Sequence, residues 1–424
     1  MKIHFITFGC KVNHYETENM KQSFMADGFE VSDTPSECDI YVLNSCTVTE
    51  TGDKKLLKEI RKLRRINPNA IIALTGCFPQ AFKDDAEKIP DVDIIMGTKN
   101  RDGLLELIKL HIEDKKKYVK ICSFTRNESF ENMQNTDYTN NTRAFVKIQD
   151  GCNMFCSYCI IPYSRGNFRS KNIADIKCEV QTLADSGFKE IVLVGINLSF
   201  YGIEHGLRLV DAIKAVCEID GIERVRLGSL EPEMILEDDI KIMSNEPKLC
   251  PQFHLSLQSG CDKTLSAMNR RYTSADYERL VTKLRENFDN CSITTDIMVG
   301  FPDETDDDFN KSLEFVKKIG FSQAHIFPYS RRKGTPAAEM DNQIPENIKN
   351  IRAKKMSEIT EVSTHKFLQS QIGLTIPVLF EREKNDKIPH GYSPNYTLIK
   401  SLTKKPDKSL RNMIFYVKIK RLEK

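Results

Sequence analysis

No stretch of the 424-residue chain approaches the ~20 consecutive apolar residues that a membrane-spanning helix needs, so insertion in a bilayer is not expected. Residues 1–10 lack a basic segment followed by an apolar run, and no export is expected either. A dominant charge is also missing: 62 Lys and Arg stand against 60 Asp and Glu, a formal net of +2. Without a global field, attraction to nucleic acid has to come from local patches. Disulfide density is absent as well, because thirteen cysteines in a chain of this length fall far short of a secreted scaffold. Their number is odd and they are dispersed, which points to a reducing compartment, the cytoplasm, and to metal ligation.

What the chain does concentrate is sulfur, in Gly151-Cys152-Asn153-Met154-Phe155-Cys156-Ser157-Tyr158-Cys159. The spacing is C-x3-C-x2-C, just past an apolar run at 144–148 that reads as a strand. Thiolates are soft ligands that suit iron, and one short loop can hold three corners of a cubane while leaving the fourth iron open. Zinc would want a fourth ligand, and no Cys or His follows at finger-like spacing within about fifteen positions. Three buried cysteines acting as small hydrophobes are the remaining alternative, but the neighbouring Gly, Asn and Ser describe an exposed turn.

Ahead of this loop, short apolar runs at 3–8, 39–43, 70–74 and 92–96 alternate with amphipathic helices, which predicts a doubly wound parallel sheet in a domain spanning 1–122. Cysteines follow three of those strands, in Gly9-Cys10, Ser45-Cys46 and Gly76-Cys77. Parallel strands put their carboxyl ends on one edge, so three thiols from distant parts of the sequence are expected to converge where such sheets bind ligands. Three unrelated core cysteines are the alternative. In the helix at 54–65, Leu56, Leu57, Ile60 and Leu63 share a face, while Lys54, Lys55, Lys58, Arg61, Lys62, Arg64 and Arg65 lie mostly on the other. That basic face is either solvated or a contact for RNA phosphates.

Residues 123–141 are polar and aperiodic and read as a linker. The segment 142–369 repeats strand then helix, with strands at 144–148, 191–194, 224–227, 253–257, 293–299 and 323–327 and a helix at 173–184 among those between them. Six such units are two short of a full barrel, which predicts a partial (β/α)6, TIM-like barrel with a lateral mouth and its chemistry at the carboxyl edge. A long helix at 345–370 leads into short apolar runs at 376–380, 397–399 and 413–419, a small all-β barrel over 370–424. Residues 381–424 carry twelve Lys and Arg against five Asp and Glu, a net of +7 that suits an RNA backbone.

The cysteine loop, with Tyr158 as the aromatic before its last Cys, resembles the signature of the radical S-adenosylmethionine enzymes. The run Gly9-Cys10-Lys11-Val12-Asn13 resembles the opening motif of their methylthiotransferase branch, and Lys-Val after the first Cys is more like the enzymes acting on threonylcarbamoyladenosine in tRNA. The resemblance implies two 4Fe-4S clusters, one on Cys152, Cys156 and Cys159 and an auxiliary one on Cys10, Cys46 and Cys77. It also implies S-adenosyl-L-methionine as cofactor, with Tyr158, Asn197, Glu231 and Gln258 as cofactor-binding residues. Asn197 lies in Val194-Gly195-Ile196-Asn197, Glu231 in Leu227-Gly228-Ser229-Leu230-Glu231-Pro232, and Gln258 in Leu255-Ser256-Leu257-Gln258-Ser259-Gly260, each at a predicted strand end. Such polar residues also serve as caps and turns.

Gly391-Tyr392-Ser393-Pro394-Asn395-Tyr396 resembles the signature of the RNA-binding, TRAM-like module that ends these enzymes, with Tyr392 and Tyr396 available to stack on bases or to pack inside the module. Arg165, Arg169, Arg331 and Arg332 are candidates for phosphate contacts.

The activity implied is methylthiolation of C2 of N6-threonylcarbamoyladenosine at position 37 of tRNA, in the anticodon stem-loop. An unactivated C–H position demands a radical, and the new group demands a sulfur source and an electron donor. No side chain need be a general acid or base. Alternatives are the versions acting on isopentenyladenosine or on a ribosomal protein. A non-catalytic iron-sulfur RNA-binding sensor would need the basic terminal domain but not paired clusters.

Overall fold

The computed structural model describes residues 1–125, 128–135, 141–381, 388–402 and 410–423. Parts of the expected linker (126–127 and 136–140) and of the C-terminal module (382–387, 403–409 and 424) lie outside the described residues. Two compact units divide the chain: Met1–Asn135 with Gln149–Lys171 and Ser330–Ala338, and Thr136–Ile148 with Asn172–Tyr329 and Glu339–Lys424.

The first unit is built on a six-stranded sheet of β1 (Lys2–Thr7), β2 (Glu30–Ser32), β3 (Ile40–Ser45), β4 (Ile71–Gly76), β5 (Ile94–Met96) and β6 (Tyr118–Lys120), in the order β2-β1-β3-β4-β5-β6. Every pairing is parallel. All residues of β3 and β4 are buried, as the inner strands of a sheet covered on both faces must be. On one face Leu56, Ile60 and Leu63 of helix α2 (Glu50–Ile66) pack with Tyr41, Leu43, Ile72 and Leu74. On the other, Met20 and Phe24 of helix α1 (Lys11–Ala26) pack with Ile3, Phe5, Val42 and Ala73. Burying each such side chain is worth roughly 1.5–3 kcal/mol.

Thr49 caps α2 by accepting from the Gly52 amide, and the helix carries Glu50 and Asp53 in its first turn and Arg64 and Arg65 in its last, matching its dipole. The sequence suggests four strands because β2 and β6 are only three residues each and keep exposed positions, so neither shows an apolar run.

Six parallel strands in sequence order also form the second unit. Arg143–Lys147, Glu190–Val194 and Arg224–Leu227 make one sheet, and Ser229–Leu230, Gln252–Leu255, Ser292–Val299 and Gln323–Pro328 make the next. The third strand serves both sheets, broken at Gly228. Among the described residues no pairing joins Arg143–Lys147 to Gln323–Pro328, so the barrel is open, as six units predict.

Helix Glu346–Ser370 leads to an antiparallel sheet of Thr375–Phe380, His390–Tyr392, Leu398–Lys400 and Ile414–Lys418. Arg224 and Arg226 tie this sheet to the barrel by donating to the carbonyls of Tyr392, Pro377 and Pro394 at 2.8–2.9 Å. No helix among the described residues is long and apolar enough to cross a membrane.

Candidate metal centre

The strand order places β1, β3 and β4 side by side, and their register is flush: Thr7 faces Asn44, Asn44 faces Thr75 and Ser45 faces Gly76. Cys10 lies three residues past β1, Cys46 directly follows β3 and Cys77 directly follows β4. Neighbouring strands run about 4.8 Å apart, so the three thiols leave one short stretch of sheet edge. The order in which strands are added reverses between β1 and β3, the switch point at whose crevice open α/β sheets hold ligands.

Two glycines bring the thiols close. Gly9 has φ +102°, and a Cβ there would meet Cys46 Cβ at 2.5 Å and Sγ at 2.9 Å. Gly76 has φ +101°, and its Cβ would strike the Ser45 carbonyl at 2.4 Å. Only glycine fits either place without strain.

Charge explains why such a cluster of sulfurs suits a metal. Burial pushes the Cys46 thiol up to about 12, the nearby Cys77 and Cys10 push the same way, and Arg165 pulls it back. A bound cation would compensate the negative charge of such thiolates. Cys10 sits at the N-cap of α1, where burial pushes its thiol up and Arg165 pulls it back. No group of three or more His, Cys, Asp or Glu among the described residues surrounds a single metal ion. A cubane's ligands sit on different irons and need no common point.

The contiguous triplet belongs to the same compact unit. Its loop is pinned at both ends, by the Cys152 amide on the Gly166 carbonyl at 3.0 Å and by the Cys159 amide on the Cys156 carbonyl at 2.9 Å. Thr98 Oγ1 donates to the Ser164 carbonyl at 2.6 Å, fastening the loop to the parallel-sheet segment. Cys156 is buried, while Cys152, Tyr158 and Cys159 are partly exposed.

Arg165 completes the arrangement. It donates through Nε to Cys77 Sγ at 3.3 Å, and through its two terminal nitrogens to Glu16 at 2.5 and 3.0 Å and to Asn13 Oδ1 at 2.5 Å. Burial opposes its charge, but Cys77, Glu16 and Asp150 outweigh that and hold it protonated.

In the second unit, Asn197, Glu231 and Gln258 all lie beyond the carboxyl ends of parallel strands. Asn197 is buried and begins the turn Leu198–Phe200. Glu231 pairs with Arg270, and its amide donates to Ser199 Oγ at 2.8 Å. Gln258 is held at φ +65° by bonds with Asp296 and Met298, a conformation costly for a residue with a Cβ. Arg270 joins two of these ends by donating to both Glu231 and the Ser256 carbonyl. Arg270, in Met268-Asn269-Arg270-Arg271, stands fifteen residues past the end of the strand Gln252–Leu255.

Three of the four candidate phosphate arginines are corrected. Arg165, Arg169 and Arg332 are buried, Arg169 pairing with Asp150 at 2.8 Å and Arg332 with Asp53 at 2.7 Å and Thr47 at 2.6 Å. A guanidinium spent on buried partners is closed to phosphate. Arg331 remains exposed. Tyr392 and Tyr396 stack on each other, centroids 4.6 Å apart, with Arg143 over both rings and Arg226 over Tyr396. Their faces are occupied within the unit, which is the packing role.

Comparison with known proteins agrees with this architecture. The profile of Uncharacterized protein family UPF0004 matches residues 2–97, and that of the Radical SAM superfamily matches 146–316. The chain is 37% identical over 383 residues to the threonylcarbamoyladenosine tRNA methylthiotransferase MtaB of Aquifex aeolicus, covering 90% of this chain and 93% of that one. It is 36% identical over 400 residues to the protein of that name from Bacillus subtilis, covering 92% and 88%. To the tRNA-2-methylthio-N(6)-dimethylallyladenosine synthase of Clostridium tetani it is 38% identical over 390 residues, covering 90% and 86%. The fold is shared with the radical S-adenosylmethionine methyltransferase TsrM from Kitasatospora setae, at a TM-score of 0.62 and 13% identity, covering 80% of this chain and 74% of that one.

A parallel-sheet domain bearing three cysteines, joined to an open barrel of the Radical SAM type, defines the class. The chain belongs to the radical S-adenosylmethionine tRNA methylthiotransferases. Membership brings S-adenosylmethionine and two 4Fe-4S clusters as cofactors.

Proposed function

We propose that the chain places a methylthio group on C2 of N6-threonylcarbamoyladenosine at position 37 of tRNA, next to the anticodon. In this reading Cys152, Cys156 and Cys159 hold the cluster that takes S-adenosylmethionine, and Cys10, Cys46 and Cys77 hold the auxiliary one. Tyr158, Asn197, Glu231 and Gln258 contact the cofactor, with Arg270 fixing the Glu231 carboxylate. Bound together, these groups supply the radical that an unactivated C–H position requires. The chain's part is to hold two sulfur-rich sites, keep them ligated and admit the anticodon stem-loop.

The observation that carries the reading is the gathering of Cys10, Cys46 and Cys77 at three adjacent strand ends, in one compact unit with the second triplet. Relatives named for threonylcarbamoyladenosine, at 36–37% identity, and the Lys11-Val12 pair favour this base over the dimethylallyl one. Relatives named as dimethylallyladenosine synthases, at 36–38% identity, favour the second reading, the dimethylallyl base. RNA contact is supported by the exposed Lys55, Lys58 and Arg61 of α2, which have no acidic partner among the described residues. An electron donor and a sulfur source complete the reaction, and the cytoplasm is its compartment.

Nucleoside mass spectrometry of tRNA from cells with and without the gene tests the assignment. The expected result is loss of the methylthio mark from the threonylcarbamoyl base. Loss from an isopentenyl base instead overturns the substrate.

A further inference from the structure

Arg165 lies six residues past Cys159, at the end of the helix Ile161–Arg165, and its side chain is 0% exposed. The planar fork of its guanidinium is used on two sides. Nε reaches Cys77 Sγ at 3.3 Å, while the terminal nitrogens grip Glu16 and Asn13. Around this contact lie further charges: Asp150 is 3.5 Å away and pairs with Arg169, and Arg101, also buried, stands 3.2 Å from Glu16. Removing ions from water costs several kcal/mol each, and a bond to a neutral thiol returns little of that. A ligated thiolate, which shares the negative charge of its cluster, returns more.

We propose that Arg165 is a positioning residue for the auxiliary cluster: it anchors the Cys77 thiolate and, balanced by Glu16, sets the electrostatic field in which that cluster accepts an electron. The inference rests on the reading that Cys10, Cys46 and Cys77 hold a cluster. A fixed positive charge beside a thiolate ligand stabilises the more reduced state and raises the reduction potential. The Glu16 carboxylate acts in the opposite sense. Lysine keeps the charge but is a point donor and cannot hold Cys77, Glu16 and Asn13 together.

The test uses the full chain with Cys152→Ala, Cys156→Ala and Cys159→Ala, so that only the gathered triplet remains, reconstituted anaerobically with iron and sulfide. Its midpoint potential is read by spectroscopic redox titration. Arg165→Gln is expected to disfavour reduction at least tenfold, about 59 mV for a one-electron couple. Glu16→Gln is expected to favour reduction by a comparable factor, and Arg165→Lys to shift the midpoint less than Arg165→Gln. Where Arg165→Gln fails to retain iron, Glu16→Gln and Arg165→Lys read the same field. A parent chain that takes up no iron overturns the ligand assignment and the proposal with it. A parent that holds iron, with a midpoint indifferent to both Glu16→Gln and Arg165→Lys, overturns the proposal alone.

Discussion

The two cysteine triplets are brought together in opposite ways. Cys152, Cys156 and Cys159 sit within eight positions, so their geometry is local and their loop needs only a few pinning bonds. Cys10, Cys46 and Cys77 are separated by whole strand-helix-strand repeats and meet only because β1, β3 and β4 are neighbours. The first set is thus written in spacing and the second in topology. A local set tolerates slackness in the surrounding fold, whereas a gathered set depends on every strand that delivers it.

The sharpest way to break this comparison is to remove one ligand from each set. Cys156→Ala is expected to abolish both S-adenosylmethionine cleavage and the methylthio product. Cys46→Ala is expected to abolish the product, leave cleavage within about twofold of the parent and lose about half of the bound iron. Product analysis by mass spectrometry with an iron assay reads both, and equal loss of cleavage in the two variants would erase the division of labour.

Next in size is the dependence of the gathered set on its backbone. Gly76→Ala forces a Cβ onto the Ser45 carbonyl at a positive φ, and a loss of about 1–3 kcal/mol is expected in urea denaturation. Auxiliary iron should fall with it, while iron on the contiguous loop persists.

A smaller effect is expected at the basic helix. Lys55→Glu with Lys58→Glu and Arg61→Glu should weaken tRNA binding about tenfold and flatten its salt dependence, with S-adenosylmethionine cleavage unchanged. Salt-titrated binding assays measure this. Least of all, Cys178→Ser on an exposed helix position should alter stability by about 0.5 kcal/mol or less and spare both activities, showing that not every thiol counts.

Legibility in the sequence followed the same division. The contiguous loop, the alternation of strands and helices and the open six-strand barrel were all readable, because each is a short-range pattern. The gathered triplet was readable only through its shared offset from strand ends. Arg165 was visible as a residue but misjudged: an arginine near a sulfur loop looks like an RNA contact until the fold wraps Glu16, Asn13 and Asp150 around it. For Tyr392 and Tyr396 stacking on bases and internal packing were both open, since no local pattern reveals that Arg143 and Arg226 cover their rings. Strands β2 and β6 escaped because three residues leave no periodicity to read.

Arg332 carries a consequence for biosynthesis. It bonds Thr47, the residue after Cys46, across 285 positions of chain. A nascent polypeptide therefore lacks this brace until its last quarter leaves the ribosome. The strand tip that carries Cys46 is thus braced only at a late stage of synthesis.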